Sequence, residues 1–96
     1  MISPNPNIRK LNLSHKDLTE IPDEVYRLKQ LRVLDLSYNN LTVISEAIFK
    51  LPHLRTLVVS HNHISSLPFA LGKSSIQDLI VDYNNIDFIL PITLTG

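Results

Sequence analysis

Apolar residues recur along this chain in four segments that share one spacing. The segments begin at residues 8, 31, 54 and 76, which gives steps of 23, 23 and 22 residues. Apolar residues stand at positions 1, 4, 6, 11 and 14 of every segment: Ile8, Leu11, Leu13, Leu18 and Ile21; Leu31, Leu34, Leu36, Leu41 and Ile44; Leu54, Leu57, Val59, Ile64 and Leu67; Ile76, Leu79, Val81, Ile86 and Ile89. Because all four segments agree, the chain is predicted to be built from an internal repeat.

The beginning of each repeat has the pattern of a β-strand. Apolar positions 4 and 6 alternate with polar neighbours, which is typical of a strand that buries one face. About 17 residues separate one predicted strand from the next. A hairpin is excluded by that separation, so the strands are predicted to run parallel and to be joined by crossover connections.

The segments that return from one strand to the next carry signals of short helical turns. Pro22 and two acidic residues open the first return, and Ser45 is a candidate N-cap for the second. Their predicted inward-facing residues are Val25, Leu28, Ile48 and Leu51. The third return is one residue shorter, contains Gly72, and has no apolar residue equivalent to Leu28 or Leu51. We therefore expect an irregular or 3₁₀ connection there.

The repeat resembles the L-x-x-L-x-L-x-x-N-x-L pattern of the leucine-rich repeat family, over residues 8 to about 89. The period and the Ile21-Pro22 and Leu67-Pro68 pairs are similar to the intracellular subtype of Ras-pathway scaffolds and adaptors. The resemblance implies an α/β solenoid of four repeats. A short parallel β-sheet would form its concave face, and helical or 3₁₀ turns its convex face.

A single domain over residues 1–96 is expected, with repeats at 8–30, 31–53, 54–75 and 76–96. Solenoids need polar units that cap both ends. Residues 3–7, SPNPN, form at best a thin cap, and LPITLTG at the end is too short to cover the last repeat. With incomplete caps, either neighbouring domains cover the terminal repeats or the chain forms a homo-oligomer through them, for example through residues 76–82 and the ILPITL tail.

Composition narrows the function classes. Lys plus Arg equals Asp plus Glu, nine of each, which argues against a nucleic-acid partner. No apolar run approaches a membrane span, and the start is not a signal peptide. There is no cysteine. These features favour a soluble cytoplasmic protein. The glycosylation sequons at Asn12 and Asn40 are attributed to the repeat pattern.

Asparagine occupies repeat position 9 in three repeats, at Asn39, Asn62 and Asn84. A buried amide can both donate and accept hydrogen bonds where the chain turns out of the strand. The family resemblance implies that these three side chains stack in a structural ladder. Lys16 occupies the same position in the first repeat and cannot accept a hydrogen bond. We interpret it as an irregularity of a terminal repeat.

His61-Asn62-His63 is the stretch that most resembles a metal-binding or catalytic cluster, but its position in the repeat predicts neither kind of site. The two histidines flank a buried position and should point apart, and Tyr38 should stand between His61 and His15 in the stack of repeats. Zinc needs several converging ligands. Ser60 recurs as a repeat feature, and no glycine-rich loop is present. We therefore expect no metal, no cofactor, no catalytic residue and no enzymatic activity.

The variable positions of the strands form the face that is expected to bind. Arginines line one side, and apolar and tyrosine side chains gather near Val58 and Ile80, a composition typical of protein-binding patches. The serines of position 7 are assigned to the same face. The predicted partner-binding residues are Arg32, Arg55, Val33, Asp35, Tyr38, Val58, His61, Ile80 and Tyr83.

The sequence thus predicts a protein-interaction module with an adaptor or scaffold role in signalling. One alternative is an accessory domain or subunit of a larger signalling or modifying enzyme. Another is an extracellular recognition domain, which would require glycans at Asn12 or Asn40.

Overall fold

Four short strands form one parallel sheet in the computed structural model, which describes residues 5–86. They are β1 (Lys10–Asn12), β2 (Val33–Asp35), β3 (Thr56–Val58) and β4 (Asp78–Ile80). Their order in the sheet is the order in the chain, and every pairing is parallel. The central leucines Leu11, Leu34, Leu57 and Leu79 lie in register. This arrangement confirms the predicted parallel sheet.

Three 3₁₀ helices make the return connections: η1 (Asp23–Arg27), η2 (Glu46–Lys50) and η3 (Phe69–Lys73). Pro22 immediately precedes η1 as its N-cap. Ser45 is the N-cap of η2, and its side chain accepts a hydrogen bond from the Ala47 N–H at 3.3 Å. Each helix has five residues, and η3 confirms the 3₁₀ connection expected for the third return, which is as regular as the other two.

Two serines explain the regularity of the third return. The Ser74 hydroxyl donates to the Leu71 carbonyl at 2.7 Å, where the earlier repeats have an apolar residue. The Ser75 hydroxyl donates to the Leu54 carbonyl at 2.6 Å, at the start of the same repeat, and contacts the Leu51 carbonyl of the preceding repeat at 3.3 Å. Hydrogen bonds thus replace the apolar contact that Leu28 and Leu51 make in the other returns.

The core follows the repeat pattern. Every predicted apolar position from Ile8 to Ile86 is buried or packs against the buried cluster, whereas Ile89 lies outside the described residues. The second repeat is buried at all five positions, while several positions of the first and fourth are only half-buried. The four predicted inward-facing residues of the first two returns are buried, and Phe49 joins them without having been predicted.

The backbone of each described element approaches only that of neighbours of the same kind, while side chains of strands and 3₁₀ helices share one core. Among the described elements, β1 contacts β2, β2 contacts β3, and β3 contacts β4; likewise η1 contacts η2, and η2 contacts η3. Repeats that touch only adjacent repeats are the defining property of solenoids. The parallel sheet and the 3₁₀ turns therefore fit the solenoid that the sequence resemblance implies.

Candidate functional site

The face of the sheet that points away from the core, which we call the outer face, corresponds to the concave face expected from the sequence. It carries the residues at repeat positions 3 and 5. Position 5 reads Asn12, Asp35, Val58 and Ile80, and these residues are aligned in register across the four strands. Val58 is half-buried and Ile80 is 44% exposed. The structure therefore brings these two side chains together on an accessible surface. We call Val58 and Ile80 the apolar pair.

Position 5 has a structural role in the first two repeats. The Asn12 Oδ1 accepts hydrogen bonds from the Ser14 N–H at 2.9 Å and the Ser14 hydroxyl at 2.6 Å. The Asp35 Oδ1 does the same for Ser37, at 2.9 Å and 2.6 Å. A valine or isoleucine side chain cannot accept a hydrogen bond, so the apolar pair gives up this local contact.

Four aromatic rings stack along the carboxyl-terminal side of the strands. Ring centroids are 4.4 Å apart between His15 and Tyr38, 4.2 Å between Tyr38 and His61, and 4.3 Å between His61 and Tyr83. The interplanar angles are 9° to 11°. We call these four residues the ring column. It places Tyr38, His61 and Tyr83, three of the predicted partner-binding residues, on one continuous wall.

All four residues of the ring column have left-handed backbone conformations, with φ between 56° and 59°. That region is unfavourable for residues with a Cβ atom. The surrounding turn holds them there. The His15, Tyr38 and His61 N–H groups donate to the position-7 carbonyl of the following repeat, at 3.1 to 3.2 Å. Interlocked backbone bonds between repeats thus fix the direction of each ring.

Behind the ring column, the asparagines of position 9 join each turn to the turn of the preceding repeat. The Asn62 Oδ1 accepts from the Leu41 N–H at 3.0 Å. Its Nδ2 donates to the Leu36, Val59 and Ser60 carbonyls at 3.0 to 3.2 Å. Asn39 and Asn84 make equivalent bonds to their own turn and to the repeat before.

Two of the three serines at position 7 do not belong to the exposed face. Ser37 and Ser60 are buried, at 7% and 9% exposure, which corrects the assignment made from the sequence for these two, whereas Ser14 is half-buried. Their backbones also take part in the turn: the Ser60 carbonyl accepts from the Tyr38 N–H and from the Asn62 Nδ2. Position 7 is therefore part of the turn that supports the ring column.

Basic residues lie at the opposite side of the sheet, where the strands begin. Arg32 and Arg55 each precede a strand by one residue, and both are exposed. The backbone aligns them, because the Arg32 carbonyl accepts from the Arg55 N–H at 2.9 Å. Arg9 and Lys10 continue the row at the first strand. We call Arg9, Lys10, Arg32 and Arg55 the basic edge.

The sequence pattern of one known family, described as Leucine rich repeat, matches residues 6–64. The chain belongs to the leucine-rich repeat family. Leucine-rich repeat domains generally mediate protein–protein interaction and are typically non-enzymatic. In a comparison with curated proteins, none matches this leucine-rich repeat chain.

Over residues 5–86 of the leucine-rich repeat chain, no three or more His, Cys, Asp or Glu side chains converge to hold a metal ion. His61 lies in the ring column with Tyr38 between it and His15, while His63 is exposed. The same residues include no helix of the length and apolarity that a bilayer crossing demands.

A surface cavity of about 260 Å³ lies away from the outer face, at the start of the first two returns. It is lined by Glu20, Ile21, Asp23, Tyr26, Val43 and Ser45. Burial raises the pKa of the Tyr26 hydroxyl, a hydrogen bond with Ser45 opposes that rise, and the negative charges of Asp23 and Glu20 add to it. The tyrosine is thus held in its neutral, hydrogen-bonding form.

Sequence reasoning placed Tyr38 between His15 and His61 but missed that Tyr83 completes a four-ring stack in left-handed backbone. The alternation of His and Tyr at position 8 was the available signal. Sequence reasoning also missed that Asp35, a predicted partner-binding residue, accepts two hydrogen bonds from Ser37 at one carboxylate oxygen. The signal was the Asx-x-Ser spacing shared by residues 12–14 and 35–37.

Proposed function

We propose that this leucine-rich repeat chain binds a protein partner through the outer face of its sheet and serves as an adaptor or scaffold. The apolar pair is the observation that carries the proposal. The first two repeats use position 5 to hold the following turn by hydrogen bonds, whereas Val58 and Ile80 present apolar surface instead. Burial of that surface by a partner would be favourable, at roughly 25 cal/mol per Å².

The surroundings of the apolar pair support recognition of a protein. Protein interfaces combine an apolar centre with aromatic and arginine side chains, and a few such residues carry most of the binding energy. Here Tyr38 and Tyr83 lie on one side, at 47% and 71% exposure, and Arg55 on the other.

The face is also rigid before a partner arrives. The ring column is stacked, and the asparagines fasten each turn to the next. A preorganised surface loses less conformational entropy on binding, so more of its contact energy appears as affinity. That rigidity fits a recognition surface.

A cytoplasmic setting in signalling is part of the proposal. The absence of cysteine is compatible with a reducing compartment, and the repeats resemble those of intracellular adaptors.

The test replaces Val58 and Ile80 together with Glu. Proteins retained by the immobilised wild-type chain are identified by quantitative mass spectrometry, and the affinity of each purified partner is measured by titration calorimetry. We expect the double variant to lose at least about tenfold in affinity, which corresponds to about 1.4 kcal/mol. Light scattering separates partner binding from self-association of the chain.

The matched control replaces Val43 and Ser66 together with Glu. These exposed residues share repeat position 13 in the second and third repeats, away from the outer face. The control adds the same charge without touching the apolar pair and should keep the affinity. A partner whose affinity is unchanged by the Val58 and Ile80 substitutions would show that this face is not the binding site.

A further inference from the structure

We infer that the partner segment recognised by this face is acidic, with carboxylates that lie over the basic edge and an apolar side chain that covers the apolar pair. The inference rests on the proposed function and names the chemistry of the partner.

The charged residues in and immediately before the first three strands are mostly basic. The basic edge places four cations side by side at the amino-terminal ends of the first three strands. Two exposed acidic residues lie in and after β4: Asp78 borders the basic edge, since its N–H donates to the Arg55 carbonyl at 3.0 Å, and Asp82 lies beyond the carboxyl end of that strand. Although the whole chain has no net charge, this part of it attracts anions.

Within the first three strands, little neutralises the basic edge. Asp35 is the acidic residue of the first three strands, and its Oδ1 already accepts two hydrogen bonds from Ser37. Arg32 and Arg55 are therefore suited to paired hydrogen bonds with carboxylates from outside, the geometry in which arginine binds most strongly.

The spacing of the arginines fits a peptide. Neighbouring strands lie about 4.8 Å apart, so the exposed side chains of Arg32 and Arg55 start from backbone positions separated by about that interval. In a helical peptide, side chains three or four residues apart are separated along the axis by roughly 4.5 to 6 Å. Two acidic residues at that spacing can engage both arginines at once.

The ring column favours a polypeptide over a nucleic acid. Single-stranded nucleic acids bind by stacking their bases on the faces of aromatic side chains. In the ring column both faces of Tyr38 and His61 are covered by neighbouring rings at 4.2 to 4.4 Å. The rings of these two residues therefore offer their edges, which suit side-chain contacts, and leave no platform for a base.

The experiment selects binders from a phage-displayed library of random twelve-residue peptides against the whole 96-residue chain. Selected peptides are synthesised with a fluorophore, and their dissociation constants are measured by fluorescence anisotropy. We expect sequences enriched in Asp or Glu that also contain an apolar residue. Their affinity should weaken when the ionic strength is raised, since exposed ion pairs are screened by salt.

Charge reversal at Arg32 and Arg55, both to Glu, should weaken these peptides at least tenfold. The matched control reverses Arg27 and Lys50, exposed cations of η1 and η2, and should leave the dissociation constants within about twofold, as expected for charges away from an interface. Peptides with their acidic residues changed to Lys should regain affinity for the reversed variant. Circular dichroism checks that each variant is folded.

The outcomes separate the two proposals. Peptides that tolerate the Arg32 and Arg55 reversal but are lost on Val58→Glu/Ile80→Glu would overturn the acidic segment and leave the proposed function standing. Peptides that tolerate both changes would overturn both. A selection without acidic binders, or a single-stranded oligonucleotide that binds more tightly than the peptides, would also overturn the inference.

Discussion

At the scale of single residues, polar side chains in this chain do structural work that their chemistry alone would not reveal. Asn62 lies between two histidines, yet it is 4% exposed and spends its hydrogen-bonding capacity on four backbone groups. The Leu41 N–H donates its hydrogen bond to the Asn62 amide oxygen, so this backbone group depends on the asparagine. Buried backbone groups need such partners to remain stable.

Replacement of Asn62 by Ala should therefore destabilise the fold by about 3 kcal/mol, because it leaves a buried donor unpaired and opens a small cavity. The free energy of unfolding, measured by urea denaturation, tests this expectation. Asn40→Ala is the matched control, since Asn40 is exposed and bonds to the Leu18 carbonyl through its backbone N–H, which the substitution keeps. A loss below about 1 kcal/mol for Asn62→Ala would contradict a structural role for the amide.

At the scale of elements, the ring column arises because every repeat places one ring at the same point of its backbone turn. Each turn out of a strand puts its position-8 residue into left-handed conformation, and the repeat then stacks one ring upon the next. Stacked aromatic pairs contribute about 0.5 to 1.5 kcal/mol each. That contribution offsets part of the backbone cost, which is about 1 to 2 kcal/mol for a residue with a Cβ atom.

His61→Val should destabilise the chain by about 3 kcal/mol, because valine loses both ring contacts and a β-branched residue is least tolerant of positive φ. His61→Asn should cost about half as much, since asparagine accepts the left-handed region and loses only the stacking. Thermal and urea unfolding followed by circular dichroism measure both. His63→Val, at an exposed neighbouring position, serves as the control and should change stability by less than about 0.5 kcal/mol.

Equal losses for His61→Val and His61→Asn would show that the backbone conformation carries no cost, and a large loss for His63→Val would show that the whole turn, rather than the ring column, is sensitive.

The sequence predicted the strands, their parallel order and the buried columns because one spacing, seen four times, determines which side chains face inward. It could not predict the geometry of the ring column, since φ at His61 depends on the hydrogen bond that its N–H donates to the Asp82 carbonyl in the following repeat. The 3₁₀ connection expected in the third return is confirmed. The sequence did not predict that Ser74 and Ser75 compensate there for the missing apolar residue, because their hydroxyls bond to the Leu71 and Leu54 carbonyls, which only the folded turn brings within reach.

At the scale of the whole molecule, stability should vary along the stack of repeats. Each element contacts only its neighbours, so an inner repeat is supported on two sides and the first on one. The burial follows this order: Leu34 and Leu57 are fully buried, while Leu11 and Leu79 are half-buried. Repeat proteins behave as a sum of repeat stabilities and interface energies, and their ends open more readily than their centre.

Leu57→Ala and Leu79→Ala make the comparison with the same chemical change at equivalent strand positions. Leu57→Ala should lower the free energy of unfolding by about 3 to 4 kcal/mol, because truncation of the buried side chain leaves a cavity between two repeats. Leu79→Ala, at a half-buried position, should lower it by about half of that.

Hydrogen exchange followed by mass spectrometry measures the stability of each strand separately. Amides of β2 and β3 should exchange most slowly, and Leu57→Ala should accelerate exchange on both sides of the third repeat. Since a domain of this size is stable by only about 5 to 15 kcal/mol, the inner variant should open most of the chain at once. Equal losses at the two positions, together with uniform exchange across all four strands, would mean that the chain unfolds as one unit and that its repeats have no separate stabilities.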